Sequence, residues 1–274
     1  MRIARFTTGE DPQFGVVTGE LDEHGEIDPD ATVVAIASDP LYAGINLTDQ
    51  QFRLEDVRLL APVLPRSKVV GIGRNYAAHA AELGHDLPSE PLMFLKPNTS
   101  VVGPGDPVFY PRQTQELHYE GELAVVIGHR ARDVPADEAM DVIEGVTCAH
   151  DVSSRDHQFT TGQWVWSKSF DTFCPLGPAL VTADELDLGH LDIETRVNGE
   201  TLQSSNTDQL VFDVPQLIAH LSQGLTLEPG DVILTGTPGG VGMARSPQRW
   251  LEDGDVVEIT IAGIGTLRNR VIRR

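Results

Sequence analysis

The 274-residue chain carries 41 Asp and Glu against 20 Lys and Arg, a net charge of −21, with 40% hydrophobic residues. That length can bury one large core or a domain plus a small one, and the negative charge argues against nucleic acid or an anionic membrane surface as a partner. Two isolated cysteines, no run of 18 apolar residues and an N-terminus without a signal-peptide core together predict a cytoplasmic globular protein.

In the first 60 residues, short apolar stretches such as Phe14–Val17 and Thr32–Ile36 alternate with Asp, Gly and Pro, and no catalytic constellation stands among them. Leu59–Ser67 holds two prolines and reads as a linker, which places a boundary near residue 65. Val69–Tyr76 has the glycine texture of a dinucleotide loop, but Tyr76 stands where a third Gly or Ala is required, so NAD binding is not expected. Asn75–Gly84 reads as a short alanine-rich helix on which His79 and Glu82, three apart, share a face. A carboxylate beside an imidazole fixes its tautomer and raises its basicity, although a plain solvated pair has the same spacing.

Glu120 and Glu122 lie two apart in Tyr119-Glu-Gly-Glu-Leu-Ala-Val-Val-Ile-Gly128, which otherwise reads as a buried strand. Side chains two apart on a strand share one face. Two carboxylates running into an apolar strand resist ionisation unless a positive charge sits between them; the competing reading is a solvated sheet rim. Asp151, in the polar cluster His150–Gln158 that follows another apolar approach, supplies a third carboxylate. Three carboxylates without cysteine or repeated histidine favour a hard cation, Mg²⁺ or Mn²⁺, over zinc, and an open coordination position favours chemistry over a structural calcium. Lys96 and Lys168 stand out because the chain has only one other lysine, Lys68, and both sit among bulky apolar residues. Such a lysine either snorkels or holds an anion.

Further on, Asp213 caps a helix with apolar Val214, Leu217, Ile218 and Leu221 that stops at Gly224. Thr235–Gly242 is glycine-rich but lacks the Gly-Lys-Ser/Thr ending of a P-loop, so ATP hydrolysis is not expected; Thr237 there is placed to hydrogen-bond a substrate carboxylate. Val257–Val271 reads as a hairpin.

Several of these segments, in this order over residues 66–274, resemble the fumarylacetoacetate hydrolase family. They are Gly-Arg-Asn-Tyr-Ala-x-His79, Phe-Leu-Lys96-Pro, Tyr-Glu120-Gly-Glu122-Leu-Ala-Val-Val-Ile-Gly, Asp151-Val-Ser-x-Arg155-Asp, Lys168-Ser-Phe-Asp-Thr-Phe-Cys-Pro-Leu-Gly-Pro and Leu-Thr-Gly-Thr237-Pro-x-Gly-Val-Gly. The resemblance implies an α+β, predominantly β fold: a mixed β-roll catalytic domain over 66–274 behind a small N-terminal domain over 1–65, assembled as a homodimer. It implies Mg²⁺ or Mn²⁺ held by Glu120, Glu122 and Asp151, with Lys168 beside the metal. By the same likeness His79 and Glu82 belong to a catalytic lid helix, and Arg74, Tyr76, Lys96, Arg155, Gln158 and Thr237 contact substrate. The family often has Asn or another uncharged residue before the metal Asp, where this chain has His150. The N-terminal segment is similar to that of bacterial 2-hydroxyhepta-2,4-diene-1,7-dioate isomerase-like members.

Family members share the enolate of a metal-chelated 2-oxo acid and differ in which bond breaks beside it. His79 with Glu82 favours water activation, so the expected reaction is hydrolytic C–C cleavage of a 3-acylpyruvate or related 2,4-dioxo acid. The alternatives are a dienoate isomerase or tautomerase, an oxaloacetate decarboxylase, and a non-catalytic 2-oxo-acid or metal-binding protein.

Overall fold

The computed structural model describes residues 1–22, 24–28 and 30–273, with the side chains of residues 159 and 161 outside that description. A twelve-stranded sheet forms the frame, its main path running Leu47–Arg53, Thr32–Ile36, Gln13–Thr18, Arg2–Thr7, Cys174–Thr182, Ile143–His150, Gly121–Ile127, Val232–Leu234, Val69–Gly73 and Leu92–Lys96. A five-stranded sheet packs against it, built from Glu200–Asn206, Asp192–Val197, Val256–Ile261, Gly265–Arg273 and Val108–Tyr110. The architecture is the expected predominantly β, mixed-sheet fold with a small N-terminal domain.

Strand Gly121–Ile127 is central because both of its faces are buried. Leu123, Val125 and Ile127 join the core between the two sheets, with Ile193, Ile259 and Leu267, whereas Ala124 and Val126 face a second core with Leu176, Val232 and Leu234. A run of apolar residues without alternation is what a doubly covered strand requires, and burial of one such leucine contributes about 2–3 kcal/mol. The neighbouring strand Ile143–His150 pairs antiparallel in the register Gly121↔His150 and Glu122↔Ala149, which brings Asp151 beside Glu120.

The expected hairpin is present, with Val256–Ile261 and Gly265–Arg273 paired. The expected helix spans Val214–Gly224, and its start is fixed by a capping box in which Asp213 accepts from the Gln216 N–H and the Gln216 side chain accepts from the Asp213 N–H. The linker reading of Leu59–Ser67 needs correction at its start. Leu59 and Leu60 belong to strand Arg58–Leu60, which pairs with Arg2–Thr7, and Ala61 and Val63 are buried. Arg2–Thr7 itself pairs with Cys174–Thr182, so the N-terminal strands extend the large sheet. Among the described residues no helix is long and apolar enough to cross a membrane.

Candidate metal centre and cavity

Glu120, Glu122 and Asp151 are all buried, and one carboxylate oxygen from each lies within 4.8 Å of the others. Glu120 immediately precedes strand Gly121–Ile127, Glu122 lies within it, and Asp151 follows strand Ile143–His150 with its backbone N–H donating to the Glu120 carbonyl at 2.9 Å. The glycine between the two glutamates is a matter of space. A Cβ on Gly121 would come within 2.0 Å of Thr195 Oγ1 in the second sheet, so only glycine lets the Glu-x-Glu backbone lie this close.

Three cations answer the three carboxylates. Lys168, at the end of helix Trp164–Lys168, donates to Glu120 Oε2 and Ser153 Oγ, each at 2.7 Å, and to Asp151 Oδ2. Lys96 donates to Asp151 Oδ1 at 2.5 Å. Arg155, at the start of helix Arg155–Thr161, donates to Glu120 Oε1, to Gln158 Oε1 at 2.5 Å and approaches His118 Nδ1 at 3.1 Å. Burial pushes the Glu120 carboxyl up, but Arg155 and Lys168 outweigh it and hold it well below the usual carboxylate range. Burial pulls the Lys168 ammonium down, yet Asp151 and Glu120 raise it above the ordinary lysine value.

Glu122 is different. It accepts the Gly236 N–H at 2.7 Å, and no ion pair to it is found among the described residues. Burial, together with Asp151 and Glu120, pushes its carboxyl well above the ordinary value. A buried carboxylate crowded by two others and lacking its own cation is the feature a divalent ion would relieve. The all-oxygen donor set suits a hard ion, so the three residues fit a divalent metal.

The carboxylates open into a compact cavity of about 50 Å³ lined by His79, Arg74, Gln158, Thr237, Arg155 and Lys168, with Phe94, Trp164, Leu83 and His85 among its other walls. His79 sits on helix Ala77–Glu82, buried, with Nδ1 2.8 Å from Glu82 Oε1. Glu82 Oε2 accepts the Gly240 N–H at 2.8 Å. With Nδ1 as the donor to a carboxylate, Nε2 carries the lone pair.

Of the residues expected to touch substrate, two do not line the cavity and a third lines it with its hydroxyl engaged by the protein. Lys96 is fully buried behind Asp151 and does not line the cavity. Tyr76 is likewise buried away from it, its hydroxyl without a partner and its pKa pushed up by burial and by Glu122. Thr237 does line the cavity, but its hydroxyl donates to the Gly121 carbonyl at 3.0 Å and accepts from Gln203 Nε2 at 2.7 Å. The sequence reading also missed His118, though it follows the same two-residue period as Glu120 and Glu122. It missed the wall residues Phe94 and Trp164, and Gly73 held a hint of the latter, since a Cβ there would lie 2.1 Å from the Trp164 ring.

Residues 68–272 match the model of the fumarylacetoacetate (FAA) hydrolase C-terminal family, and residues 1–62 match the Rv2993c-like N-terminal family. The chain is 46% identical to Protein Rv2993c of Mycobacterium tuberculosis, covering 100% of this chain and 99% of that one. It is 44% identical to the mitochondrial oxaloacetate tautomerase Fahd2a of Rattus norvegicus over 96% of this chain and 82% of that one. The solved structure of 2-hydroxyhepta-2,4-diene-1,7-dioate isomerase from Mycobacterium marinum superposes with a TM-score of 0.88 at 44% identity, covering 100% of this chain and 99% of that one. The chain belongs to the fumarylacetoacetate hydrolase family.

Two buried histidines flank the carboxylates. Burial, reinforced by Arg155, lowers His118 to about 3, and burial, reinforced by Lys96, lowers His150 to about 3. Both are therefore neutral in the folded chain, whereas an unfolded histidine titrates near 6.5. As pH falls below about 6.5 the unfolded chain takes up protons that the fold excludes, so stability is lost by about 1.4 kcal/mol per pH unit for each histidine, down to about pH 3. The raised carboxyl of Glu122 acts in the opposite sense over the same range, so the histidine share is read as a difference: in urea unfolding of the metal-free proteins between pH 7.5 and 5, His150→Asn should lose less stability on acidification than wild type, by up to about 1.4 kcal/mol per pH unit. An unchanged slope would contradict the assignment.

Proposed function

We propose that this member of the fumarylacetoacetate hydrolase family is a Mg²⁺- or Mn²⁺-dependent keto–enol tautomerase of a small 2-oxo dicarboxylic acid of the oxaloacetate class. The observation that carries the reading is a carboxylate-oriented imidazole, His79, facing into the same compact cavity as three clustered carboxylates. A divalent ion held by Glu120, Glu122 and Asp151 would polarise the 2-oxo group of the acid. His79 Nε2 takes the proton from the adjacent carbon, with Glu82 fixing the tautomer and stabilising the imidazolium. The electron pair of that C–H bond becomes the C=C bond while the carbonyl π pair moves onto the 2-oxo oxygen, where Lys168 supplies positive charge, and a proton from the His79 imidazolium or from water completes the enol. Arg155 and Gln158 orient the acid. The 44% identity to an oxaloacetate tautomerase supports the same reading.

The hydrolytic reading has its own support in the His79–Glu82 pair, which is equally suited to activating water for C–C cleavage of a 3-acylpyruvate. The two readings part on product. Tautomerisation conserves the carbon skeleton, and hydrolysis releases two acids.

A second copy of the chain is the proposed partner. Strand Leu92–Lys96 is an edge of the large sheet and exposes Leu92, Met93 and Leu95, while the adjoining helix Trp164–Lys168 exposes Val165 and Trp166. An uncovered apolar edge invites aggregation, and a two-fold pairing would cover it.

Four outcomes test this account. His79→Ala should slow enol-oxaloacetate ketonisation, followed by the loss of enol absorbance, by about 10²–10⁴-fold; pyruvate and acetate appearing from acetylpyruvate at a higher catalytic efficiency would replace the tautomerase with the hydrolase. Glu122→Gln should weaken Mn²⁺ binding by roughly tenfold or more, losing most of the metal-induced rise in the unfolding temperature. The same variant should unfold at a higher temperature than wild type when both are metal-free, because the crowded charge is gone; a lower metal-free temperature would contradict the role given to Glu122. Analytical ultracentrifugation should give a dimer for the wild type and a monomer for Leu95→Glu/Trp166→Glu.

A further inference from the structure

Around the cavity the other strong cations are already committed to carboxylates: Lys168 to Glu120 and Asp151, and Arg155 to Glu120. Arg74 is the exception. It lines the cavity, yet among the described residues no hydrogen bond or ion pair engages it, and its guanidinium carbon lies 5.7 Å from the centre of the Trp164 ring. Its backbone is in the left-handed region, φ 56°, where a non-glycine residue is strained. Neighbours hold that conformation in place. Gly73 packs on Trp164, and the Asn75 side chain donates to the Phe212 and Thr235 carbonyls at 2.9 and 2.8 Å while accepting the Phe212 N–H at 2.9 Å.

Arg74 is only partly buried, but its strained backbone holds an unpaired guanidinium at the cavity wall, where it can meet an anion. Lys96, Lys168 and Arg155 are engaged by Glu120 and Asp151, and Glu122 is left for a divalent ion. Among the described residues Arg74 is therefore the cation at the cavity left without a carboxylate, and a singly charged acid would leave it so. We infer that Arg74 determines specificity, receiving the carboxylate at the far end of the substrate and so selecting dicarboxylates over 2-oxo acids that end in a neutral group. This rests on the tautomerase reading for the placement of the 2-oxo end at the carboxylate cluster. A planar guanidinium suits the task, since it pairs with a carboxylate through two parallel N–H donors and stacks on an aromatic face.

The test uses the Mg²⁺-loaded protein and two ligands that cannot enolise, 3,3-difluorooxaloacetate and its 4-methyl ester, which differ in the distal charge. By isothermal titration the wild type should bind the diacid about tenfold or more tighter than the ester. Arg74→Gln should bring the two affinities within about twofold of one another by weakening the diacid alone, and Arg74→Lys should restore part of the preference. A wild type that does not discriminate, or an Arg74→Gln that weakens both ligands equally, overturns the assignment. Should Arg74→Gln fail to fold, the wild-type ratio and the Arg74→Lys ratio decide. Discrimination by a wild type that does not speed the keto–enol interconversion of oxaloacetate would uphold Arg74 and remove the tautomerase reading.

Discussion

The repulsion among three buried carboxylates is the constraint around which the rest of this protein is arranged. Glu122 lies in, and Glu120 and Asp151 at the ends of, two adjacent strands packed in apolar surroundings, so the three carboxylates are buried and poorly screened. Ionised carboxylates so placed need compensation, and the chain recruits it from three separate segments, through Lys96, Arg155 and Lys168. Lys96 comes from a strand of the same sheet, whereas Arg155 and Lys168 come from the short helices Arg155–Thr161 and Trp164–Lys168, the second of which also packs Trp164 against Phe94. Breaking one such pair leaves a charge buried and unpaired, which typically costs about 3–5 kcal/mol, so the same contacts that prepare the site also hold the wall around it.

Compensation is deliberately unequal. Glu120 and Asp151 share Lys168, whereas Glu122 receives a backbone N–H alone. If every carboxylate had its own ammonium, the cluster would be a closed salt-bridge network with no call for a metal. The shortfall at Glu122 leaves a place where a divalent charge is favourable, and the neutral His118 and His150 add no competing cation there.

Much of this was legible in the chain, for reasons that differ residue by residue. The two-residue spacing of Glu120 and Glu122 within an apolar run reports a shared buried face, and Asp151 follows from the polar break after a second such run. His79 and Glu82 were legible from helical spacing, and the contact between them is present at 2.8 Å. The burial of Lys96 was foreseeable from Met93-Phe-Leu-Lys96, but its partner was not: whether a buried lysine meets a substrate or a protein carboxylate depends on a register 55 residues away. Thr237, expected to meet a substrate carboxylate, lines the cavity, while the donation of its proton to Gly121 depends on a contact across 116 residues. Local sequence carries no trace of such long-range choices. The pairing of Arg2–Thr7 with Cys174–Thr182 was hidden for the same reason.

The glycine-rich loop of residues 235–242 keeps the candidate metal ligands and the His79–Glu82 pair in register. Its texture resembles a phosphate cradle, yet its amides serve the protein's own carboxylates, Gly236 N–H binding Glu122 and Gly240 N–H binding Glu82. Thr235 anchors the start of the loop to the Leu123 carbonyl through both its N–H and its hydroxyl. One short segment therefore sets a candidate metal ligand and the carboxylate that orients His79. Glycine is required at 236, where φ is 108° and a Cβ would lie 2.8 Å from Asn75 Cβ. Arg74, His85 and Trp164 line the same cavity without taking part in these loop contacts, so under the proposed function the groups that would meet the far end of the acid are distinct from the amides that set the carboxylates.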